Sequence, residues 1–347
     1  MNRSTAIALV PLWLAAPPAA AQCPGDLNGD RAIDGADLGA LLAAWGPCGA
    51  GACAADLDAS GTVDGADLGL QLAGWGACPP SVPAWATLLE ATPDPAVVTN
   101  AALRSAIAAT GLAWRVRDTA TQIEMLLVPP GTYARGCLAG SLAYPCTPQE
   151  APAHLVTLTN AFYLGRHEVT QAQWQARMGS NPSSFAGQPD SPSRPVERVS
   201  WTAVQGFLAG AGMRLPTEAE WEYACRAGTQ SPFYNGSNDD ATLASLAWYE
   251  PNAGNRTHAV GQKAANALGF HDMLGNVYEW VSDWYGTYAS GRQTNPTGGN
   301  SSTGGLGRVV RGGSWFLFPQ EVRSSARTHT APSGSNSYTG FRAARNP

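Results

Sequence analysis

The sequence predicts an α+β fold with many turns, preceded by a small helical module made by duplication. Three observations lead there. There are 39 glycines and 26 prolines in 347 residues and only 14% charged residues, which leaves little room for long helices, while 44% hydrophobic residues suffice for a buried core. Short aliphatic and β-branched runs are punctuated by Pro and Gly, yet a helix-start signature sits among them at Pro216-Thr217-Glu218-Ala219-Glu220. Near the N-terminus an acidic motif recurs after 30 residues.

The first residues read as a secretory signal over 1–21. Arg3 supplies the positive start, 6–16 is an apolar run too short to span a bilayer, and Ala19-Ala20-Ala21 offers a cleavage site before Gln22. No later stretch is long and apolar enough to span. The expected location is therefore periplasmic or extracellular. Net charge is −5, Lys263 is the only lysine and no basic run exists, which speaks against a nucleic-acid partner.

The repeat carries the spacing of a 12-residue calcium loop. In the first copy Asp26, Asn28, Asp30, Asp34 and Asp37 fall at positions 1, 3, 5, 9 and 12, and Ala32 offers its carbonyl at position 7. The second copy repeats this with Asp56, Asp58, Ser60, Asp64 and Asp67, and the carbonyl of Thr62. Ile33 and Val63, at position 8, are placed to join the two loops through a short β-bridge. A helix follows each loop. Leu38, Leu41, Leu42 and Trp45 share one face, and Leu68, Leu72 and Trp75 repeat most of it. From Cys23 to Cys78 there are eight Asp and one Arg, so without a cation the module would repel itself, and metal binding would be folding energy. The bland alternative is a solvated acidic turn.

Six cysteines suggest disulfides in an oxidising compartment. Bridges Cys23–Cys48 and Cys53–Cys78 would close each copy on itself, and pairing across the copies is the alternative. Cys137 and Cys146 bracket a loop and suggest a third bridge. Cys225 has no obvious partner and reads as a small buried hydrophobe.

Pro79, Pro80, Pro83, Pro93 and Pro95 mark 80–119 as a linker after a module at 22–79, with one short helix over 101–109 capped by Thr99 or Asn100. The main domain is expected over 120–347. Its strands include 123–128, stopped by Pro129-Pro130-Gly131, and a run starting at His154. Thr217 caps a helix whose Trp221 and Ala224 or Cys225 face the core. The stretch 268–285 crowds Asp272, Glu279 and Asp283 among aromatic residues. Buried acids of this kind need a cation or backbone amides.

Two resemblances follow from these residues. A loop plus one helix, duplicated over 26–76, resembles the dockerin type I module more than a full EF-hand, and implies bound Ca²⁺ and a protein partner. Arg31 departs from the glycine usual in such loops. Gly35-Ala36 and Gly65-Ala66 stand where dockerins place polar recognition residues.

In the main domain, blocks occur in a fixed order: 130–133 (PGTY), 168–170 (EVT), 195–201 (PVERVSW), 214–224 (RLPTEAEWEYA), 269–280 (GFHDMLGNVYEW), 308–315 (RVVRGGSW) and 340–342 (GFR). They resemble the formylglycine-generating enzyme, or sulfatase-modifying factor, family over about 120–347. The resemblance implies a variant of the C-type lectin fold. It also implies a Ca²⁺ site built from Asp272, Glu279 and the carbonyls of Gly275 and Val277.

Family catalysts oxidise a sulfatase cysteine with copper held by two cysteines. Those positions are Leu317 and Val322 here, and no cysteine follows Cys225. Soft thiolates are what Cu(I) selects, so copper is not expected. The family's pocket serine corresponds to Ser314, and its companion tryptophan is Tyr278. The expected function is a secreted calcium-binding protein whose lectin-like domain takes an unassigned ligand. The alternative is an enzyme, either oxidising protein cysteine by a non-copper route or carrying out an unrelated oxidation, and a site assembled from distant histidines and Glu168 is the other catalyst the scaffold could hold.

Overall fold

The computed structural model describes residues 23–49, 51, 53–138, 144–299 and 307–347, so the expected signal at 1–21 lies outside the described residues. The chain divides into two units, Met1–Pro79 and Pro80–Pro347.

In the first unit, helices Gly35–Ala43 and Gly65–Ala73 start at Asp34 and Asp64, each closed by a capping box with the Asp at N3, Asp37 or Asp67. The loops do not pair with each other through Ile33 and Val63 as expected. Strand Ala32–Ile33 runs antiparallel to Gly76–Ala77, and Gly46–Pro47 to Thr62–Val63. Each calcium-type loop thus grips the segment leaving the other copy's helix. This crossing corrects the disulfide pairing that would close each copy: the bridges are Cys23–Cys78 and Cys48–Cys53. The physical cause is visible in the backbone. Cys78 N donates to Arg31 O and Cys48 N to Gly61 O, each at 2.9 Å, so the exit of one copy lies beside the loop of the other.

The expected apolar helix face is only partly used. Leu41 is buried, but Leu42, Trp45, Leu72 and Trp75 stay about half exposed. The core of this unit is therefore very small, resting on Ile33, Leu41, Ala55 and Val63. Staples matter at this size.

In the second unit, residues 80–119 are not a linker. Strands Ala86–Glu90 and Arg115–Asp118 form one side of a five-stranded sheet, continued by Glu124–Val128, Phe162–Gly165 and Ala344–Arg345. Strand Arg115–Asp118 buries Val116 and Asp118 on alternate positions, and the preceding Trp114 is also buried, so the proline-rich stretch contributes to the core. Asn100 caps helix Ala101–Ala109 through Ala102 N and Leu103 N.

A second sheet orders Arg327–Thr330, Arg308–Arg311, Tyr278–Trp284 and Thr339–Phe341, and a third orders Gln293–Thr294, His154–Leu158 and Gly131–Arg135. Thr217 caps helix Glu218–Arg226, with Glu220 returning the bond. Trp221, Ala224 and Cys225 of that helix are buried, and Cys225 is a free thiol. The third bridge is Cys137–Cys146. Mixed strand directions with helices set between short sheets make this an α+β fold. Among the described residues, no helix is long and apolar enough to cross a membrane.

The helix 218–226 also places two glutamates in the core, four residues apart and so on one face. Glu218 is ion-paired with Arg135 at 2.7 Å, Arg327 at 2.7 Å and Arg311 at 3.3 Å. Glu222 takes Arg311 at 2.6 Å and Arg226 at 2.8 Å. Beside them Asp283 accepts from Glu218 N at 2.8 Å and from the Ser282 hydroxyl at 2.9 Å, while its Oδ1 has no partner among the described residues. Burial, reinforced by the Glu218 charge, lifts Asp283 from 3.8 to about 6. The folded state therefore holds this proton more tightly than the unfolded chain. Its contribution to stability is greatest below pH 4 and is lost as pH rises to about 6. Asp283→Asn is expected to remove that fall, read as a flatter plot of denaturation midpoint against pH.

Candidate functional site

The two acidic loops are each gathered around a buried aspartate. Asp37 Oδ1 accepts from Leu27 N at 2.8 Å and Asn28 N at 3.1 Å, and its Oδ2 from Asp34 N at 3.0 Å. Asp67 does the same with Leu57, Asp58 and Asp64. These amides, that of residue 34 or 64 foremost, hold both carboxyls below the usual aspartate range. The last loop position is thus locked, charged, toward the loop centre.

Ligand oxygens of Asp26, Asp30 and Asp37 lie within 4.8 Å of one another, and so do those of Asp56, Asp58 and Asp67. Three carboxylates at that spacing could supply part of the six to eight oxygens that Ca²⁺ takes. Asn28 and Ser60 stand in the same loops, Asn28 bonded to Asp30 and Ser60 to the carbonyl of Thr62. Asp34 and Asp64 accept from Ala36 N and Ala66 N as helix caps and are not in the clusters. Ala32, at the other carbonyl position, sits in the strand facing Ala77.

Backbone geometry separates the two loops. Arg31 stands at φ 72° where the second loop has Gly61 at φ 88°, and Ala59 at φ 58° answers Gly29 at φ 79°. A side chain in this left-handed region costs about 1–2 kcal/mol. Arg31→Gly is therefore expected to raise the stability of the loaded module by about 1 kcal/mol, after the added freedom of the unfolded glycine is subtracted. Thermal unfolding in calcium checks this.

The stretch 268–285 is arranged differently from the expected metal site. Glu279 is buried and its two oxygens take Arg342 at 2.6 Å each, with Trp221 Nε1 adding a bond at 2.7 Å. A guanidinium already serves as the cation, so the Glu279 assignment gives way to a buried ion pair. Asp272 accepts from Gly261 N at 2.7 Å and leaves Oδ1 without a partner among the described residues. Burial lifts its pKa to about 6.

Gly275 sits at φ 78° against Trp248, whose carbonyl oxygen would lie 2.3 Å from an added Cβ. Only glycine fits there. Val277 N donates to Glu168 Oε1 at 3.1 Å and Asn276 Nδ2 to Oε2 at 2.8 Å. Burial, with Asp272 and Glu279 nearby, pushes Glu168 well above the usual carboxylate range. His167 stacks on His271 at 5.1 Å, and burial lowers His167 to about 3, which leaves its ring neutral and a weak base. Among the described residues, groups of three or more candidate metal ligands occur at the two acidic loops and not here.

The loop after strand Arg308–Arg311 holds the remaining predicted positions. Gly313 has φ 77°, and a Cβ would come within 2.8 Å of Val322 Cγ2, which seats the loop tightly on that residue. Ser314 is buried and its hydroxyl has no partner among the described residues. Val322 is wholly buried, while Leu317 packs against the core from a partly exposed place. Tyr278 is partly exposed and its phenol is raised by burial. Leu317 and Val322 offer only hydrocarbon, so copper does not fit these positions.

Sequence reasoning missed what surrounds this loop. Trp315 meets Phe185 at 5.6 Å and Phe316 at 5.4 Å, and Phe316 meets Tyr338 at 4.4 Å. Phe318 beside them is 53% exposed. The run Trp315-Phe316-Leu317-Phe318 was the available signal, because four large apolar residues on a loop have no core-facing period.

Comparison with known proteins bears on the second unit. Residues 113–347 match the family described as the sulfatase-modifying factor enzyme 1-like domain. Serine/threonine-protein kinase pkn1 of Chlamydia pneumoniae is 31% identical over 248 residues, which is 64% of this chain and 38% of that protein. Formylglycine-generating enzyme of Mus musculus is 36% identical over 191 residues, covering 51% of this chain and 50% of the enzyme. The chain thus spans half or less of the length of these two relatives. Among solved structures, Treponema denticola variable protein 1 is similar with a TM-score of 0.57 and 30% identity, over 65% of this chain and 95% of that one.

Proposed function

Residues 113–347 belong to the sulfatase-modifying factor enzyme 1-like domain family, and from that membership we propose a binding domain that has given up copper oxidation, carried beside a calcium-loaded module. The observation behind this is the pair Leu317 and Val322 at the positions where the family's catalysts hold copper. Around them the surface is aromatic, with Phe185, Trp315, Phe316, Phe318 and Tyr338, and Phe318 is about half exposed. Aromatic residues on loops over a rigid scaffold suit recognition, which fits the lectin-like reading of the fold. The test is incubation of the purified chain with copper, oxygen and a peptide bearing a sulfatase cysteine motif. No mass loss at the cysteine is expected, and formylglycine formation would falsify the binding reading.

The first unit is read as a dockerin-like calcium module that attaches the domain to a protein partner. Two loops with three carboxylates each support the metal, and half-exposed Leu42, Trp45, Leu72 and Trp75 support a partner surface. Three disulfides support export to an oxidising compartment. Calcium titration of the chelator-treated protein should raise helix content in circular dichroism. An unchanged spectrum sinks the loop assignment.

A further inference from the structure

Away from the loop at 315–318, the second unit carries a cleft of about 720 Å³. Its size is that of a ligand site rather than a surface dimple. Two aromatic residues line it: Phe162, buried at its strand, and Trp201, at the first turn of helix Trp201–Leu208. Trp201 is fixed in place. Its Nε1 donates to Val281 O at 3.0 Å, and the Arg308 guanidinium lies 3.9 Å from the ring centre, itself 4.1 Å from the ring of Trp284. Arg308 does not line the cleft, so the partly exposed Trp201 ring meets it on another side.

The polar lining is neutral and rich in amides. Arg214 and Glu220 are the charged residues of the wall, and they neutralise each other at 2.6 Å. Gln205 Nε2 is buried and has no hydrogen-bond partner among the described residues. Asn160 stands exposed at the same cleft. That donor is closed to the cleft as it stands, and a turn of the half-buried Gln205 side chain would let it pair with a ligand oxygen.

These features restrict the ligand. Among the described side chains of the wall, a charged molecule finds no counter-charge that is free. A purely apolar one leaves Gln205 and Asn160 unpaired, whereas Asn295 and Asn346 already bond to Thr159 and Arg214. A molecule with an apolar face and an edge dense in hydroxyl groups satisfies both, and a sugar ring has that form. We propose that this cleft binds a neutral oligosaccharide, with one ring stacked on Trp201 and its hydroxyls bonded to Gln205 and Asn160.

The proposal does not rest on the aromatic loop or on the missing copper pair. Calorimetric titration of the full chain with cellohexaose, chitohexaose and maltohexaose tests it. At least one is expected to bind. Trp201→Ala should weaken that binding about tenfold or more, from the loss of aromatic contact. Gln205→Ala should weaken it about threefold to tenfold. Because Trp201 also braces Arg308, Gln205→Ala is the variant that keeps the test sound if Trp201→Ala unfolds. Phe318→Ser, at the separate aromatic loop, should leave the affinity unchanged. Absence of binding by all three sugars overturns the proposal, and so does binding that Gln205→Ala leaves intact.

Discussion

Glu218→Gln is expected to destabilise the 80–347 unit by about 3–5 kcal/mol, a large share of an ordinary domain's stability. The substitution keeps the shape of the side chain and removes only its charge. Three buried guanidiniums, from Arg135, Arg311 and Arg327, face that carboxylate, and Tyr288 donates to it at 3.1 Å. Arg311 retains Glu222, but Arg135 and Arg327 would be left as buried cations without a carboxylate partner. The same carboxyl, held by these arginines down to about 2 against the pull of burial, gives the pH signature. Its contribution is present above pH 4.5 and is lost as pH falls toward 2. Equilibrium denaturation of the variant should show both the lower midpoint and the loss of that acid limb. A shift smaller than about 1 kcal/mol would mean that the cluster relaxes to admit water, as exposed pairs do.

Removing the Cys23–Cys78 bridge is expected to cost the first unit about 4 kcal/mol, by the entropy of freeing a loop of 55 residues. Removing Cys48–Cys53, which spans five, should cost about 2 kcal/mol. The core of this unit is too small to absorb the larger loss. Serine substitution of Cys23 and Cys78 should therefore make helix content depend on calcium over its whole range, while the Cys48, Cys53 variant keeps a folded state at lower calcium. Calcium-dependent circular dichroism of the two variants separates them. Equal behaviour would show that the loops, not the bridges, set stability.

The two acidic clusters were legible because their chemistry is local. The carboxylates of each cluster lie within 12 residues, and the repeat states the pattern twice. How the copies meet was not, since Ile33 and Val63 could satisfy β-pairing with each other or with the segments after the helices. The choice is made by where each helix ends, and that also decides the disulfides. In the second unit, the Thr217 cap and the free, buried Cys225 follow from neighbours in sequence.

Glu218 and Glu222 look like the wet side of an amphipathic helix. They are buried because Arg135, Arg311 and Arg327 arrive from distant strands, and no local pattern carries that. Glu279 misled for the same reason: its cation, Arg342, lies 63 residues away. The proline-rich stretch 80–119 was read as a linker because prolines at strand margins look the same as prolines between domains. Val116 and Trp114 are the residues that tie it into the sheet.

The Cys23–Cys78 bridge closes the first unit into a ring. It joins the start and the end of the unit, with a Cα separation of 5.5 Å. A protease cut anywhere between the two cysteines would leave both pieces joined through the sulfur atoms. A nicked unit therefore stays one molecule until it is reduced, and the cut shows only on a reducing gel.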